Sequence, residues 1–340
     1  HEEKDYMVNP TGHWLGEFFL WIDRVLRQFE RLIPVAVTGR AIGKALAFMK
    51  ERLNGEDGLG AIFPAMANTV MAYHALGYPQ THPDYVTARE AMDKLLVFDG
   101  ERGYCQPCLS PVWDTGLAAH AMLEAGFKAG DPVLDKASKW LVGRQILDVA
   151  GDWAEKAPGV RPGGWAFQYW NDHYPDVDDT AVVVMALHRT DAEKYKIAID
   201  RGIEWVIGMQ SRNGGWGAFD VDNDYDVLQH IPFADHGALL DPPTADVSAR
   251  CLGMLAQVGY TTAEPAVARA IEYLRREQEK DGSWFGRWGN NYVYGTWSVL
   301  CALNAIGEDM QAPYIRRAVD WLKARQQADG GWGEDCASYW

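Results

Sequence analysis

The feature that most constrains the fold is a unit written three times along the chain. It runs RGIEWVIGMQSRNGGWG from Arg201 to Gly217, RAIEYLRREQEKDGSW from Arg269 to Trp284, and RAVDWLKARQQADGGWG from Arg317 to Gly333. Each copy sets an aromatic residue (Trp205, Tyr273, Trp321) five positions before a glutamine (Gln210, Gln278, Gln326) and a tryptophan (Trp216, Trp284, Trp332) six positions after it. Before each glutamine the apolar residues recur every three or four positions, which is one face of an amphipathic helix, and the glycine-rich stretch behind it is a stop signal. A looser copy is expected at Trp140, Gln145 and Trp153. A unit of this kind cannot bury its own apolar face, so the copies must stack.

A second helix is predicted after each tryptophan-bearing loop: SPVWDTGLAAHAMLEAG, DVDDTAVVVMALH, TADVSARCLGMLAQVG, VYGTWSVLCALNAIG and the weaker FPAMANTVMAYHALG. These segments are apolar all round, and a helix without a polar face is buried on every side. They form the inner ring of an all-α, α/α-barrel fold, with the charged repeat helices outside. Residues 109–340 are read as part of this barrel and residues 1–108 as part of a second α-barrel domain. The inner helices all begin at one end, so the residues that open them should surround a central cavity: Trp113, Asp114, Asp176 to Asp179, Asp246 and Tyr294. For Asp114 and Asp246, simple helix capping accounts for the residue type equally well.

The balance of 47 acidic against 32 basic residues gives a net charge of -15. Phosphate binding needs a positive surface to release counterions, so a nucleic-acid partner is excluded. No run approaches the length of a spanning helix, and no basic, apolar, small-residue leader is seen. The five cysteines are too scattered for a disulfide framework, and the Cys105-x-x-Cys108 pair lacks the second pair of a zinc site. A start at His1 and a stop at Trp340, just past a repeat that elsewhere is followed by another helix, lead us to expect a fragment with an unclosed barrel, inactive when isolated.

The run Asp176-Val177-Asp178-Asp179-Thr180 carries the chemistry. One carboxylate can cap a helix, but three in four positions repel one another, and crowding raises at least one pKa. An acid kept protonated near neutrality by burial and like-charged neighbours is what protonating an alkene requires. An acidic helix start favoured by the macrodipole is the plainer account of the same residues.

Here the residues resemble a known family. PGGWAFQYWNDHYPDVDDTAVV, SPVWDTGLA, GGWGAFDVDN, DPPTADVSA and GSWFGRWGNNYVYGT are similar to squalene-hopene cyclases, and the tryptophan-glutamine unit resembles that family's QW motif. The resemblance implies protonation-initiated cyclisation of squalene to hopene or hopanol, with no cofactor and no metal. It makes Asp178 the proton donor, with Asp176 and Asp179 as acidic neighbours and Asp246 in the same network. Arg250 stands where the family commonly has a histidine, and an arginine stays charged at any accessible pH. Trp113, Phe167, Phe219 and Trp288 would stabilise carbocations; Phe219 replaces the family's frequent tyrosine. Gln168 and Tyr294 would lie near an ordered water, and Phe233 in the substrate channel.

Kinship further implies a homodimer and monotopic placement on the cytoplasmic face of a bacterial membrane. Residues 11–50, with Trp14, Phe18, Ile22, Leu26 and Phe29 interleaved with arginines, suit an interfacial surface, although packing against the rest of the protein explains the stripe equally. Other readings are a DxDD terpene cyclase acting on a prenyl diphosphate, which should show a basic grip, an oxidosqualene cyclase, an α/α-barrel glycosidase with two spaced carboxyls, and a non-catalytic helical-repeat binding domain.

Overall fold

The computed structural model describes residue 9, residues 12–232 and residues 239–339. They fall into two compact units. The first holds the described residues of His1–Gly60, Pro64–Lys94 and Asn223–Asp241; the second holds Ala61–Phe63, Leu95–Asp222 and Pro242–Trp340. The described residues of Asn223–Asp241 thus group with the amino-terminal part.

In the first unit, α1 (Trp14–Phe29) opens on His13, whose ring accepts the Leu15 N–H at 3.3 Å. Pro34 separates it from α2 (Val35–Arg52), and α3 (Phe63–Ala75) and α4 (Pro83–Asp93) follow. Only Gly16 and Leu20 of α1 are buried, while Trp14 and Trp21 stand 67% and 58% exposed. Among the described residues no helix is long and apolar enough to cross a membrane.

The second unit starts with a hairpin that the helical periodicity does not announce. Strands β1 (Leu96–Asp99) and β2 (Arg102–Cys105) pair antiparallel around Gly100, whose φ of 60° is the left-handed conformation a tight turn needs. Among the described residues eight α-helices follow: α5 (Pro111–Glu124), α6 (Pro132–Val142), α7 (Val177–Asp191), α8 (Lys196–Gly208), α9 (Ala245–Gln257), α10 (Pro265–Arg276), α11 (Asn291–Ala305) and α12 (Pro313–Ala324). The second helix of each pair forms the inner layer, α5 against α7, α7 against α9 and α9 against α11. Outside them α6, α8, α10 and α12 each pack on an inner helix. This is the α/α barrel expected from the alternation of apolar and charged helices.

Burial explains the layering. In α7, Val177, Ala181, Val182, Val183, Val184 and Leu187 are all buried, on every side of the helix. Each such valine contributes about 1.5–3 kcal/mol relative to exposure. By contrast α10 buries Val267, Ala270, Ile271 and Leu274 on one face and turns Arg275 and Arg276 outward.

The repeat's glutamines and tryptophans are ties between layers. Gln210 Nε2 donates to Gly214 O at 2.8 Å and to Ala266 O at 2.9 Å, joining its own loop to the start of the next outer helix. Gln145 does the same with Gly163 O and Ala198 O, and Gln278 with Gly282 O and Tyr314 O. Trp216 Nε1 donates to Val206 O at 2.6 Å and Trp284 Nε1 to Leu274 O at 2.7 Å. In the fourth copy the tryptophan filling this role is Trp165, which donates to Leu141 O at 2.6 Å, and not the expected Trp153. An inserted stretch after Gln145, including a 3-10 turn at Asp152–Glu155, breaks the spacing that the other copies keep.

Candidate active site

The acid run sits where an extended segment turns into α7. Asp176 has extended φ and ψ of -100° and 130°, and its N–H donates to Trp165 O at 2.8 Å. Its Oδ1 accepts the N–H groups of Asp178 at 2.7 Å and Asp179 at 3.1 Å, so Asp176 is the helix cap. Capping thus accounts for one of the three carboxyls, and the other two are left for another role.

Two residues into the helix from Asp178, Thr180 Oγ1 accepts the Trp165 N–H at 2.9 Å. Ser248 receives Trp216 N–H at 2.9 Å and Thr296 receives Trp284 N–H at 3.0 Å in the same way. The Thr180 hydroxyl also donates to Asp176 O, and Thr115 donates likewise to Pro111 O. Counting two residues back from each of these hydroxyls gives Trp113, Asp178, Asp246 and Tyr294. The four are the same position of the repeat on four neighbouring inner helices.

Arg250, one turn into α9 beyond Asp246, gathers this set. Its Nε donates to Asp178 Oδ1 at 2.6 Å and its Nη2 to the Tyr294 hydroxyl at 2.7 Å. The guanidinium carbon lies 5.1 Å from the Trp113 ring centre and 6.0 Å from that of Tyr294. Asp246 is fixed separately: its Oδ1 accepts the Thr244 hydroxyl at 2.7 Å and its Oδ2 the Trp288 N–H at 3.1 Å. It therefore bridges two repeats and does not cap its own helix. Asp114 is exposed and accepts the Ser110 hydroxyl at 2.7 Å.

Desolvation sets the electrostatics. Burial pushes the Asp178 carboxyl up to about 6 against the opposing pull of Arg250, with Asp246 adding to the rise. Asp179 is raised well above the usual carboxylate range, by burial first and then by Asp176 and Asp178. Its Oδ1 is buried without a hydrogen-bond partner. Burial also moves the Tyr294 hydroxyl up to about 12, so it stays a neutral phenol.

The remaining predicted residues are placed less tightly. Phe167 and Gln168 follow Trp165 and are half-buried; Phe167 O accepts the Val112 N–H at 3.4 Å, and Gln168 Oε1 accepts from Asn171 at 3.1 Å. Phe219 follows Ala218, whose carbonyl takes the Val177 N–H at 2.8 Å, which sets it beside the start of α7. Trp288 joins the site through its backbone N–H, while Arg287 lies 5.3 Å over its ring. Phe233 lies outside the described residues. Sequence reasoning passed over Trp165 and the roles of the Thr180, Ser248 and Thr296 hydroxyls, which hold the loops that frame the acids; for the hydroxyls the available signal was their recurrence two residues after Asp178, Asp246 and Tyr294.

A cavity of about 410 Å³ runs along the inner faces of α7, α9 and α11, lined by Met185, Arg250, Gly253, Trp297 and Cys301 among others. A larger groove of about 610 Å³ lies elsewhere, lined by His188, Lys196, Asp200 and Glu204, and contains none of Asp176, Asp178, Asp179 and Asp246. The Arg250 cavity is the one connected to the chemistry, through Arg250 itself, which lines it and also bonds Asp178 and Tyr294 and lies over the Trp113 ring. This set of residues can deliver a proton to an apolar acceptor and offers few nucleophiles to the cation produced.

The sequence profile of the squalene-hopene cyclase C-terminal domain matches residues 109–340, and that of the squalene-hopene cyclase N-terminal domain matches residues 1–101. A squalene-hopene cyclase of Zymomonas mobilis is 57% identical over 98% of the chain and 53% of its own length. That of Alicyclobacillus acidocaldarius is 49% identical over 96% of the chain and 52% of its own length. The chain thus spans about half the length of the curated relatives it matches. Among solved structures, ent-copalyl diphosphate synthase from Streptomyces platensis shares the fold with a TM-score of 0.51 at 19% identity, over 83% of this chain and 45% of that one.

Proposed function

We infer that this chain, which belongs to the squalene-hopene cyclase family, carries the acid end of a cyclase in which Asp178 protonates the terminal double bond of squalene. The cation so formed closes the polyene into fused rings and ends as hopene or hopanol. The observation that carries this reading is the Asp178 carboxyl itself: buried, pushed up to about 6, and aimed by the Arg250 bond. Near neutrality such an acid keeps a protonated fraction and still releases its proton more readily than a hydroxyl, the compromise general-acid catalysis favours.

Once charge passes to the hydrocarbon, the aromatic faces take over. A desolvated cation-π contact is worth on the order of 2 kcal/mol, so Trp113, Phe167, Phe219 and Trp288 together lower successive barriers by several powers of ten. Tyr294 and Gln168 serve the water that returns or receives a proton, and Phe233 belongs to the substrate channel. Asp246 holds the Trp288 loop against α9, which makes it a positioning residue.

A thirty-carbon hydrocarbon reaches the site from lipid, and the exposed Trp14, Phe18, Trp21 and Leu26 of α1 support docking on a membrane surface, on its cytoplasmic side. The test of the acid assignment grafts residues 1–340, or their Asp178→Asn variant, into the matching span of a complete cyclase and incubates membranes carrying the chimera with squalene, read by gas chromatography. Pentacyclic product is expected from the parent chimera and about a hundredfold to ten-thousandfold less from the variant, since general acid catalysis contributes about 10²–10⁴. Undiminished product from the asparagine variant would mean another group starts the reaction.

A further inference from the structure

We propose that the transferable proton of the acid cluster rests on Asp179, and that Arg250 places it there by holding Asp178 as its anion. This rests on the reading of Asp178 as the donor and deepens it. Asp176 Oδ1 is satisfied by two backbone N–H groups at 2.7 and 3.1 Å, at the helix end whose dipole favours negative charge. Asp178 Oδ1 receives the Arg250 Nε–H at 2.6 Å. Asp179 Oδ1 has no partner, although the residue is only 2% exposed.

A buried carboxylate with an orphaned oxygen carries the full desolvation cost of its charge, while a carboxylic acid in the same place does not. Two of the three neighbouring acids therefore have a reason to be ionised, and the third has a reason to be neutral. The charged groups that act on Asp179 are Asp176 and Asp178 on its own helix, Asp114 from α5 and Arg250 from α9. Three of these four are acidic and favour the neutral form, and the direction of the Asp179 shift agrees.

The sequence of proton movements is balanced. The O–H bond of Asp179 breaks and its proton joins the Asp178 carboxylate; Asp178 then passes it to the alkene carbon and is again an anion on Arg250. The cluster has lost one proton, and the final cation releases one, either directly on forming an alkene or from the water it adds. That proton restores Asp179. Asp179 is thus a proton reservoir beside the donor, and its retention of a proton does not depend on substrate.

Infrared spectroscopy of the purified protein at neutral pH tests this without turnover, because the C=O stretch of a protonated carboxyl is resolved from that of a carboxylate and shifts in D2O. One buried band is expected in the parent, retained in Asp178→Asn and Asp176→Asn and lost in Asp179→Asn. In Arg250→Gln a second band should appear, as Asp178 takes up a proton of its own. A band lost in Asp178→Asn and kept in Asp179→Asn overturns the proposal, and so does a parent without any protonated carboxyl. Should Asp179→Asn not fold, the Asp178→Asn spectrum decides alone: band present supports the reservoir, band absent refutes it. Failure of the donor reading shows differently, as cyclisation that persists in Asp178→Asn while the infrared band stays on Asp179.

Discussion

Replacing Arg250 by glutamine removes a charge and leaves a group of comparable reach, and its effect can be worked from the geometry. Arg250 and Asp178 are 12% and 4% exposed, so solvent screens the pair little. Charge centres about 4 Å apart at an effective dielectric of about 20 attract by roughly 4 kcal/mol. That corresponds to about a thousandfold in the proton affinity of Asp178. The sign follows from linkage. Asp178 is pushed up in the folded state from 3.8 to about 6, so it contributes stability below about pH 4 and loses it as pH rises through about 6. In the variant the same loss continues far beyond that point, at about 1.4 kcal/mol per pH unit. Between pH 5 and pH 8 the parent resists ionisation over about the first unit and the variant over all three, so the stability gap should widen by roughly 3 kcal/mol. Urea unfolding of both proteins across this range measures it, and the widening should vanish when Asp178→Asn is present in both. A gap that stays constant with pH would refute the claim that Arg250 sets the charge of Asp178.

The repeat makes further predictions. Gln210→Leu removes three hydrogen bonds, two donated by its Nε2 and one its Oε1 accepts from Arg269, each worth about 1 kcal/mol, so its urea midpoint should fall by an amount equivalent to about 2–3 kcal/mol; Gln326→Leu, at an exposed copy, should change it by less than about 0.5 kcal/mol. Gly214→Ala places a methyl 2.4 Å from Arg269 O at a φ of 95° and should cost more than about 2 kcal/mol in thermal unfolding. Gly253→Ala, within α9 and with nothing inside 4 Å of the new carbon, should be neutral or stabilise by up to about 1 kcal/mol in the same assay.

Much of this was written plainly in the sequence. The period of 3.6 in the charged helices and its absence in DVDDTAVVVMALH separated outer from inner helices, because burial on one side or all sides is what those patterns encode. Placing Asp178 and Asp246 at the start of inner helices followed directly. Other features had no local signature. Trp165 takes the role expected of Trp153 because an insertion hides the spacing, and only the Leu141 carbonyl at 2.6 Å identifies it. The hairpin at Leu96–Cys105 consists of four-residue strands, too short for alternation to register. The orphaned oxygen of Asp179 depends on which way three adjacent carboxyls point, which is decided by tertiary packing.

The repeat also explains how a structural unit came to hold reactive chemistry. Three of its hydroxyls, Thr180, Ser248 and Thr296, make the same bond to the N–H of Trp165, Trp216 and Trp284. These groups secure each loop to its inner helix, and changing one would loosen a layer whichever helix it sits on. Two positions earlier, nothing in the backbone ladder depends on the side chain, and there the four copies carry Trp113, Asp178, Asp246 and Tyr294. Arg250 then turns four equivalent positions into four different ones: it bonds Asp178 and Tyr294, lies over the Trp113 ring, and leaves Asp246 to hold the next loop. The barrel supplies convergence by symmetry, and one charge that has no equivalent in the other copies, where Val182 and Ser298 occupy its place, supplies direction. A buried guanidinium is costly unless its partners stay put, so the same residue that orders the acid also commits the inner helices to one register.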